Sequence, residues 1–383
     1  MLKTTQTGQV TAPVGSGSLR VAMVAPPWFD IPPRGYGGTE SVVGNLVNGL
    51  VEMGHHVTLI ASGEDRTSAQ RFLQVYEKPP SELLGDPIPE MIAAVEAERY
   101  LRDLDVDIIH DHSLAGPLHA RFRDAPTVVT MHGPVDGRNG DYYARLGRDI
   151  HAVAISKAQR RLNTRIRWAA TVHNAVDVAS FTADAPKDGY VLWLGRFNAD
   201  KAPQLAIKAA RACGRRIVLA GKRNEAPEKE FFDREVAPWL GPKVEYVGEA
   251  DAALKRELLA KAAVLAFPIQ WEEPFGIVMA EALASGTPIA AFSRGSVPEV
   301  IVDGKTGVIA ADADDFPRAL EAAAALDPAD CRADALARFD TPVMAAGYVR
   351  AYQNVAGFPA GASSAQRELI EDAMRRPPHA MYG

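Results

Sequence analysis

Residues 272–288 read EEPFGIVMAEALASGTP, a stretch that combines the features of a turn with those of a buried helix. Pro274 and Gly276 interrupt regular structure, whereas the run that follows has the Ala, Met and Leu content of a buried helix. Glu281 falls inside this helix and Glu273 falls just before it. Because a buried carboxylate costs free energy unless it accepts hydrogen bonds, the stretch predicts that both acids hold a partner.

Short, apolar, β-branched runs alternate with longer helical segments on both sides of this stretch. Such runs are typical of strands that are buried on both faces of a parallel sheet. In the first half the runs are LRVAMVAP (19–26), HHVTLIAS (55–62), VDIIH (106–110), PTVVTMH (126–132), IHAVAIS (150–156) and ATVHNAV (170–176). In the second half they are GYVLWLG (189–195), RRIVLAG (215–221), VEYVGE (244–249), AVLAFP (263–268), PIAAF (288–292) and TGVIA (306–310).

The two halves predict an α/β protein with two doubly wound, Rossmann-like domains. Residues 40–54 have apolar positions at helical spacing between the first two strands, which completes a βαβ unit. Residues 173–189 show no strong hydrophobic periodicity and form the best candidate for the boundary between the two domains. Two such domains bring their strand ends to a shared crevice, where ligands bind. We predict a flexible leader at 1–18, domains at 19–180 and 186–340, a terminal helix at 341–357 that could return to the first domain, and a tail at 358–383.

Composition excludes several classes of protein. The chain has 383 residues with a net charge of −6, which argues against a nucleic-acid partner. No stretch reaches the roughly 18 apolar residues of a membrane span, and the N-terminus lacks the apolar core of a secretory signal. Cys213 and Cys331 lie far apart without metal-ligand spacing. We therefore expect a cytoplasmic protein without a transmembrane segment, and its oligomeric state stays open.

A glycine-rich loop follows the first strand. Gly35, Gly37 and Gly38 precede the helix that opens at Thr39 and Glu40. Glycines let backbone N–H groups approach an anion, and a helix N-terminus adds a positive dipole. The spacing differs from the G-x-G-x-x-G dinucleotide motif, so that a phosphate site and a plain turn are both open.

Two cations follow the first strand of the second half. Arg196 and Lys201 lie on a loop that leads into a helix, at a strand end that faces the predicted crevice. A guanidinium fork and an ammonium group suit a diphosphate. A solvated surface loop is the alternative, and the position of the loop favours the diphosphate.

The stretch at 272–288 would then hold both ends of the same ligand. Carboxylates accept hydrogen bonds from the hydroxyl groups of sugar rings, so that Glu273 and Glu281 can hold a sugar and a ribose. The backbone amides of Phe275, Gly276 and Ile277 can face the phosphates between them. The alternative, that Glu281 lies on the surface of an amphipathic helix, fits poorly with its apolar neighbours.

Together, the E-x7-E pair, the GR-x4-K loop and the glycine loop resemble the family 4 retaining glycosyltransferases of the GT-B fold, from about Leu19 to Tyr352. The resemblance implies a nucleotide-diphosphate-sugar donor on the second domain and a hydroxyl acceptor on the first. It implies that Glu273 contacts sugar hydroxyls and Glu281 the ribose. It also implies that Arg196 and Lys201 hold the diphosphate, which the Gly37–Gly38 loop contacts across the cleft. One departure is Ala202, where many relatives have glycine.

Other strand ends supply further candidates. His132 resembles the family histidine near the donor sugar and the reaction centre. Lys222 is a weaker candidate for a donor contact, and Asp111 and His112 are candidates on the acceptor side. The basic segment at 156–168 lacks a clear amphipathic face, which favours a solvated helix over a membrane-binding surface.

We expect a metal-independent hexosyl transfer that requires no cofactor. Arg196, Lys201 and the helix dipole would offset the charge of the leaving diphosphate. The family's front-face substitution leaves Glu273 and His132 to position the sugar. A uridine donor is favoured and a guanosine donor is next. The alternatives are a nucleotide-sugar epimerase or sugar phosphorylase of the same fold, and a non-catalytic nucleotide-sugar-binding protein.

Overall fold

The computed structural model describes residues 17–35 and 37–357. The predicted tail at 358–383 and the predicted leader, apart from its last two residues, lie outside the described residues.

Two parallel sheets form the framework. The first contains β1 (Arg20–Val24), β2 (His56–Ala61), β3 (Arg71–Gln74), β4 (Ile108–Asp111), β5 (Thr127–Met131), β6 (His151–Ala154) and β7 (Trp168–Thr171). Its strand order is β3-β2-β1-β4-β5-β6-β7. The second contains β8 (Val191–Leu194), β9 (Ile217–Ala220), β10 (Val244–Tyr246), β11 (Val264–Phe267), β12 (Ile289–Phe292) and β13 (Gly307–Ala310), in the order β10-β9-β8-β11-β12-β13. The predicted α/β class is confirmed; β3, a partly exposed edge strand, was not predicted.

Helices surround both sheets. They are α1 (Gly38–Glu52), α2 (Pro87–Leu101), α3 (Gly137–Leu146), α4 (Lys157–Leu162), α5 (Pro203–Ala212), α6 (Ala226–Glu235), α7 (Ala252–Lys261), α8 (Ile277–Ala284), α9 (Val297–Val300), α10 (Phe316–Ala324), α11 (Pro328–Arg338) and α12 (Thr341–Ala356). Short 3₁₀ helices span Ser81–Leu83, Gly116–Phe122, Val178–Ser180 and Ala237–Trp239.

The last helix, α12, packs against α1 of the first domain. Tyr348 and Tyr352 are fully buried in the core that β1, β2 and α1 share. The two helices approach closely at Gly49, where a Cβ atom would lie 2.8 Å from Cγ2 of Thr341 and 2.9 Å from Cβ of Ala345. A residue larger than glycine at position 49 would therefore force the helices apart.

The two domains meet at the carboxyl ends of their strands. The loop after β1 leads to Gly38, and a Cβ atom there would lie 3.7 Å from Cγ2 of Ile277 at the start of α8. A second contact caps α4: Glu299 of α9 accepts hydrogen bonds from the backbone N–H groups of Lys157 (2.8 Å) and Ala158 (2.5 Å). The strand ends and the N-terminus of α8 thus border one cleft.

Candidate active site

Glu273 lies on the loop between β11 and α8, buried beside the cleft. Its carboxylate forms an ion pair with the ammonium group of Lys201 and accepts a hydrogen bond from Nε1 of Trp271 at 3.1 Å. The backbone N–H of Ser296 donates to the carbonyl of Glu273 at 2.9 Å. The structure brings together Glu273 and Lys201, which are 72 residues apart in the chain.

Lys201 is held by its backbone as well. Its carbonyl accepts from Nε1 of Trp193 at 3.1 Å, and its N–H donates to Oδ1 of Asn198 at 3.0 Å. The next residue, Ala202, has φ 47° and ψ 52°, and within the described ranges no other non-glycine residue has a positive φ. An alanine in this region is strained by about 1 kcal/mol or more, so that a departure from the family's glycine has a local cost.

Glu281 lies inside α8 and is buried, as the sequence predicts. Its carboxylate forms an ion pair with Lys255 of α7. Sequence reasoning missed Lys255, because nothing in the stretch around it separates it from any other helical lysine. The pair keeps the buried charge of Glu281 compensated while no ligand is bound.

The N-terminus of α8 lies between these two acids. Gly276 caps the helix with φ 70°, a conformation that favours glycine. Within the described ranges, the backbone N–H groups of Phe275, Gly276 and Ile277 donate to no protein acceptor. These groups and the helix dipole can receive an anion, which agrees with the predicted phosphate contact.

The predicted diphosphate cations already have partners in the protein. The Nε atom of Arg196 lies 2.7 Å from Oε1 of Glu228, and its second terminal nitrogen lies 3.0 Å from Oε2 of Glu225. Lys222 lies 3.6 Å from Oε1 of Glu225. Arg196 and Lys222 thus come together at the ends of the neighbouring strands β8 and β9, and a diphosphate would have to share them with these carboxylates.

The glycine loop approaches the second domain, and a Cβ atom at Gly35 would lie 3.8 Å from Oε1 of Glu249. Gly37 has φ 144°, and a Cβ atom there would lie 2.9 Å from Cγ of Pro33, so the turn requires glycine. Glu40, in the first turn of α1, is buried. Burial raises the pKa of Glu40 to about 7.

Two of the predicted first-domain residues form a pair. Nε2 of His132 lies 2.8 Å from Nδ1 of His112, and their rings stack with centroids 5.1 Å apart. Burial lowers the pKa of His132 to about 4 and the pKa of His112 well below its ordinary value. Both imidazoles are therefore neutral at pH 7.

Asp111 is directed into the first domain. Its carboxylate lies 3.0 Å from a terminal nitrogen of Arg123 and accepts from the backbone N–H (3.0 Å) and hydroxyl (2.7 Å) of Ser113. The structure thus gives Asp111 a full set of protein partners.

Within the described part of the chain, no group of three or more His, Cys, Asp or Glu residues has a geometry that could hold a metal ion. Asp-x-Asp triplets, which can hold a metal against a diphosphate, do occur at 103–107 and 312–314. Asp105 and Asp107 pair with Arg20, and Asp312 accepts from the backbone of Asp315 at 2.9 Å. No helix among the described residues is long and apolar enough to cross a membrane.

Cavities lie on both sides of the first sheet. One of about 480 Å³ opens beside the glycine loop and is lined by first-domain residues, including Trp28, Arg34 and Lys78, and by Glu249 of the second domain. A larger cavity, of about 940 Å³, lies at the amino ends of the strands, and Arg20, Phe122 and Gly357 are among the residues that line it. The predicted site residues lie at the carboxyl ends of the strands, on the side of the smaller cavity. Cavity volume alone therefore does not identify the reaction centre.

Two family models match consecutive parts of the chain. The model described as Glycosyltransferase Family 4 matches residues 36–187, and the model described as Glycosyl transferases group 1 matches residues 188–325. A phosphatidyl-myo-inositol mannosyltransferase of Mycolicibacterium smegmatis is 28% identical over 88% of this chain and 95% of its own length.

Solved structures show the same architecture. AviGT4, a glycosyltransferase involved in avilamycin A biosynthesis, is 27% identical, with a TM-score of 0.67 over 90% of this chain and 99% of that chain. HepE of Anabaena, solved with UDP and glucose, has a TM-score of 0.66 at 15% identity and covers 88% of this chain and 100% of its own. The likeness to HepE concerns the fold.

Proposed function

We propose that this chain, which belongs to the family 4 glycosyltransferases with the GT-B fold, moves a hexosyl group from a nucleotide-diphosphate sugar to a hydroxyl acceptor with retention. One observation carries the proposal. Two buried carboxylates, Glu273 and Glu281, flank a helix N-terminus whose amides have no acceptor among the described residues, and each carboxylate is paired with a lysine. A ligand with hydroxyls at both ends and phosphates between them matches this order of charges.

The donor is assigned to the second domain. Glu273 accepts hydrogen bonds from the hexose, and Glu281 accepts them from the ribose. The α8 amides, Arg196 and Lys201 bind the diphosphate, with Lys222 beside them. A UDP-sugar is our first choice, supported by the fold that this chain shares with UDP-bound HepE, and a GDP-sugar is the second.

The proposed reaction is a front-face substitution. The bond between the anomeric carbon and the diphosphate oxygen breaks while the acceptor oxygen bonds to the same face of that carbon. The acceptor proton passes to the departing phosphate oxygen. Glu273 and His132 hold the sugar as it gains oxocarbenium character, and the positive groups around the diphosphate offset the charge that develops there.

Metal independence is part of the proposal. The positive charge that a divalent cation would supply comes from Arg196, Lys201 and the dipole of α8, all at the same strand ends. No other cofactor is needed for this chemistry. The free thiols of Cys213 and Cys331 agree with the proposed cytoplasmic location.

The acceptor hydroxyl is assigned to the first domain. The cavity of about 480 Å³ beside the glycine loop opens next to Gly35 and is bordered by the loops after β1, β2 and β3. We propose that the acceptor enters there. The relatives' names mention phosphatidyl-myo-inositol and avilamycin A biosynthesis, so acceptors of both kinds belong in an activity screen.

The proposal can be tested in two stages. A thermal-shift screen with UDP, GDP, ADP, TDP and their sugars, with and without EDTA, should give one nucleotide that raises the melting temperature in both conditions. Product analysis should then show nucleoside diphosphate released only with an acceptor and an anomeric configuration that is retained. Release of diphosphate without acceptor, or an epimerised sugar nucleotide, would support the alternatives instead.

A matched pair of variants tests the ribose assignment. Glu281→Gln should weaken nucleotide binding by roughly 1–3 kcal/mol, since a charged acceptor for ribose hydroxyls is lost. Glu257→Gln removes an exposed carboxylate that pairs with Lys261 at 2.7 Å on the neighbouring helix and should leave binding unchanged. Equal nucleotide affinity in both folded variants would remove Glu281 from the site.

A further inference from the structure

We propose that His112 is a positioning residue: it fixes the tautomer of His132, so that His132 presents an unprotonated Nδ1 atom to the donor sugar. The sugar contact rests on the proposed function, whereas the tautomer follows from the protein alone. Neither the sequence pattern nor the resemblance assigns this role to His112, which was expected on the acceptor side.

Met23 lies on β1. Its thioether sulfur lies 3.0 Å from Nε2 of His112, inside the first sheet. A thioether has no hydrogen to donate and acts only as an acceptor. Nε2 of His112 must therefore carry the proton of the neutral ring, and Nδ1 of the same ring is left as an acceptor.

His112 and His132 are in direct contact. Nδ1 of His112 and Nε2 of His132 are 2.8 Å apart, which is a hydrogen-bond distance. Because Nδ1 of His112 is an acceptor, Nε2 of His132 must donate. A neutral imidazole has one proton, so Nδ1 of His132 carries a lone pair. The lowered pKa values of both rings keep them neutral at pH 7.

The remaining surroundings hold the pair in place. The ring of His110 packs against that of His112, with centroids 4.0 Å apart and an angle of 41° between the ring planes. His110 is fixed at both nitrogens, by the hydroxyl of Tyr352 at 2.7 Å and by the hydroxyl of Thr130 at 2.8 Å. Tyr348 completes the group at 2.9 Å from Thr130. Rotation of the His112 ring would break its hydrogen bonds to Met23 and His132 and disturb its packing against His110.

Nδ1 of His132 is available to a ligand. Within residues 17–35 and 37–357 it has no hydrogen-bond partner, and it is not among the buried polar atoms that lack one. His132 follows β5, whose carboxyl end borders the cleft. The lone pair can therefore accept a hydrogen bond from a sugar hydroxyl, and a group at this position that cannot donate would be discriminated against.

The tautomer can be read directly. Histidine-selective ¹⁵N labelling of the full chain, with a His132→Gln variant for assignment, should show Nε2 of His132 protonated and Nδ1 unprotonated at pH 7. The opposite pattern would overturn the proposal. This measurement needs no substrate, so that it stands even when the proposed transfer reaction fails.

Variants test the dependence on His112. In His112→Phe, which has no acceptor, the His132 ring should show both tautomers and kcat/KM should fall roughly tenfold, the loss of about one neutral hydrogen bond. In His112→Asn, the side-chain carbonyl can take the place of Nδ1, and the single tautomer should return with part of the activity.

Met23→Leu is the second route to the same test, since it removes the sulfur acceptor and conserves volume. It should release the His112 tautomer and introduce the second His132 tautomer even where His112→Phe fails to fold. A His132 tautomer that stays unchanged in Met23→Leu and in folded His112→Phe would show that His112 has only a packing role.

Discussion

Glu40 offers a test of electrostatics beside the glycine loop. Burial raises the pKa of this carboxyl to about 7 from an ordinary value of 4.5. The folded state therefore binds the proton more tightly than the unfolded state, and stability falls as pH rises from 4.5 to 7. A difference of about 2.5 pKa units corresponds to a loss of stability of about 3 kcal/mol. This loss is present in full above pH 7 and absent below pH 4.5.

Replacing Glu40 with Gln removes this cost because the amide cannot ionise. At pH 8 the variant should be more stable than the parent by about 3 kcal/mol, which corresponds to roughly 6–12 °C in melting temperature for a domain of this size. At pH 5 the two proteins should melt within a few degrees of each other. The difference between the two profiles isolates one group, since all other titrating residues are common to both.

Thermal melts at half-unit intervals between pH 5 and pH 8 provide the assay. Glu52→Gln, on an exposed residue at the end of the same helix, is the control for the loss of one carboxylate from α1. Parallel profiles for Glu40→Gln and the parent would refute the reasoning, since they would mean that Glu40 ionises as easily in the folded protein as in the unfolded chain.

Three further substitutions test features of the fold. Ala202→Gly should raise the melting temperature, because it relieves the strain of a left-handed alanine. This strain is worth about 1 kcal/mol before the entropy of the unfolded glycine is subtracted, and a loss of stability would contradict it. Gly49→Ala should lower the free energy of unfolding by about 1–3 kcal/mol and lower the melting temperature, because its Cβ collides with α12. A neutral result would show that the helices can separate freely. Glu299→Ala should destabilise the protein by about 1–3 kcal/mol, since two N–H groups of α4 lose their acceptor; calorimetry that shows no change would remove this contact from the domain interface.

The sequence predicted most of the strands, because their hydrophobic signal was strong. Each of the twelve apolar runs overlaps one strand, since a parallel strand that is covered on both faces leaves a continuous apolar segment. The run at 170–176 shares only two residues with β7. β3, Arg71–Gln74, reads RFLQ and lies at the sheet edge, where only part of each side chain is covered. Without a continuous apolar run, an edge strand has little to distinguish it from a loop.

The candidate site was predictable where spacing along one segment decides it. Glu273 and Glu281 flank the start of one helix, and their burial follows from their neighbours. Lys255 comes from a different helix, and its contact with Glu281 depends on helix packing that no local pattern encodes. The pairing of His112 with His132 likewise depends on the register between β4 and β5, which is set by the whole sheet.

The return of α12 makes the first domain a discontinuous folding unit. Its core includes Tyr348 and Tyr352, which are encoded after the whole second domain. A fragment that ends at the domain link would lack these two aromatic side chains and leave the α1 surface around Gly49 exposed to water. We therefore expect the first domain to fold in isolation only when the α12 segment is fused to it or supplied as a peptide. During synthesis, the first domain can complete its core only after the second domain has been made.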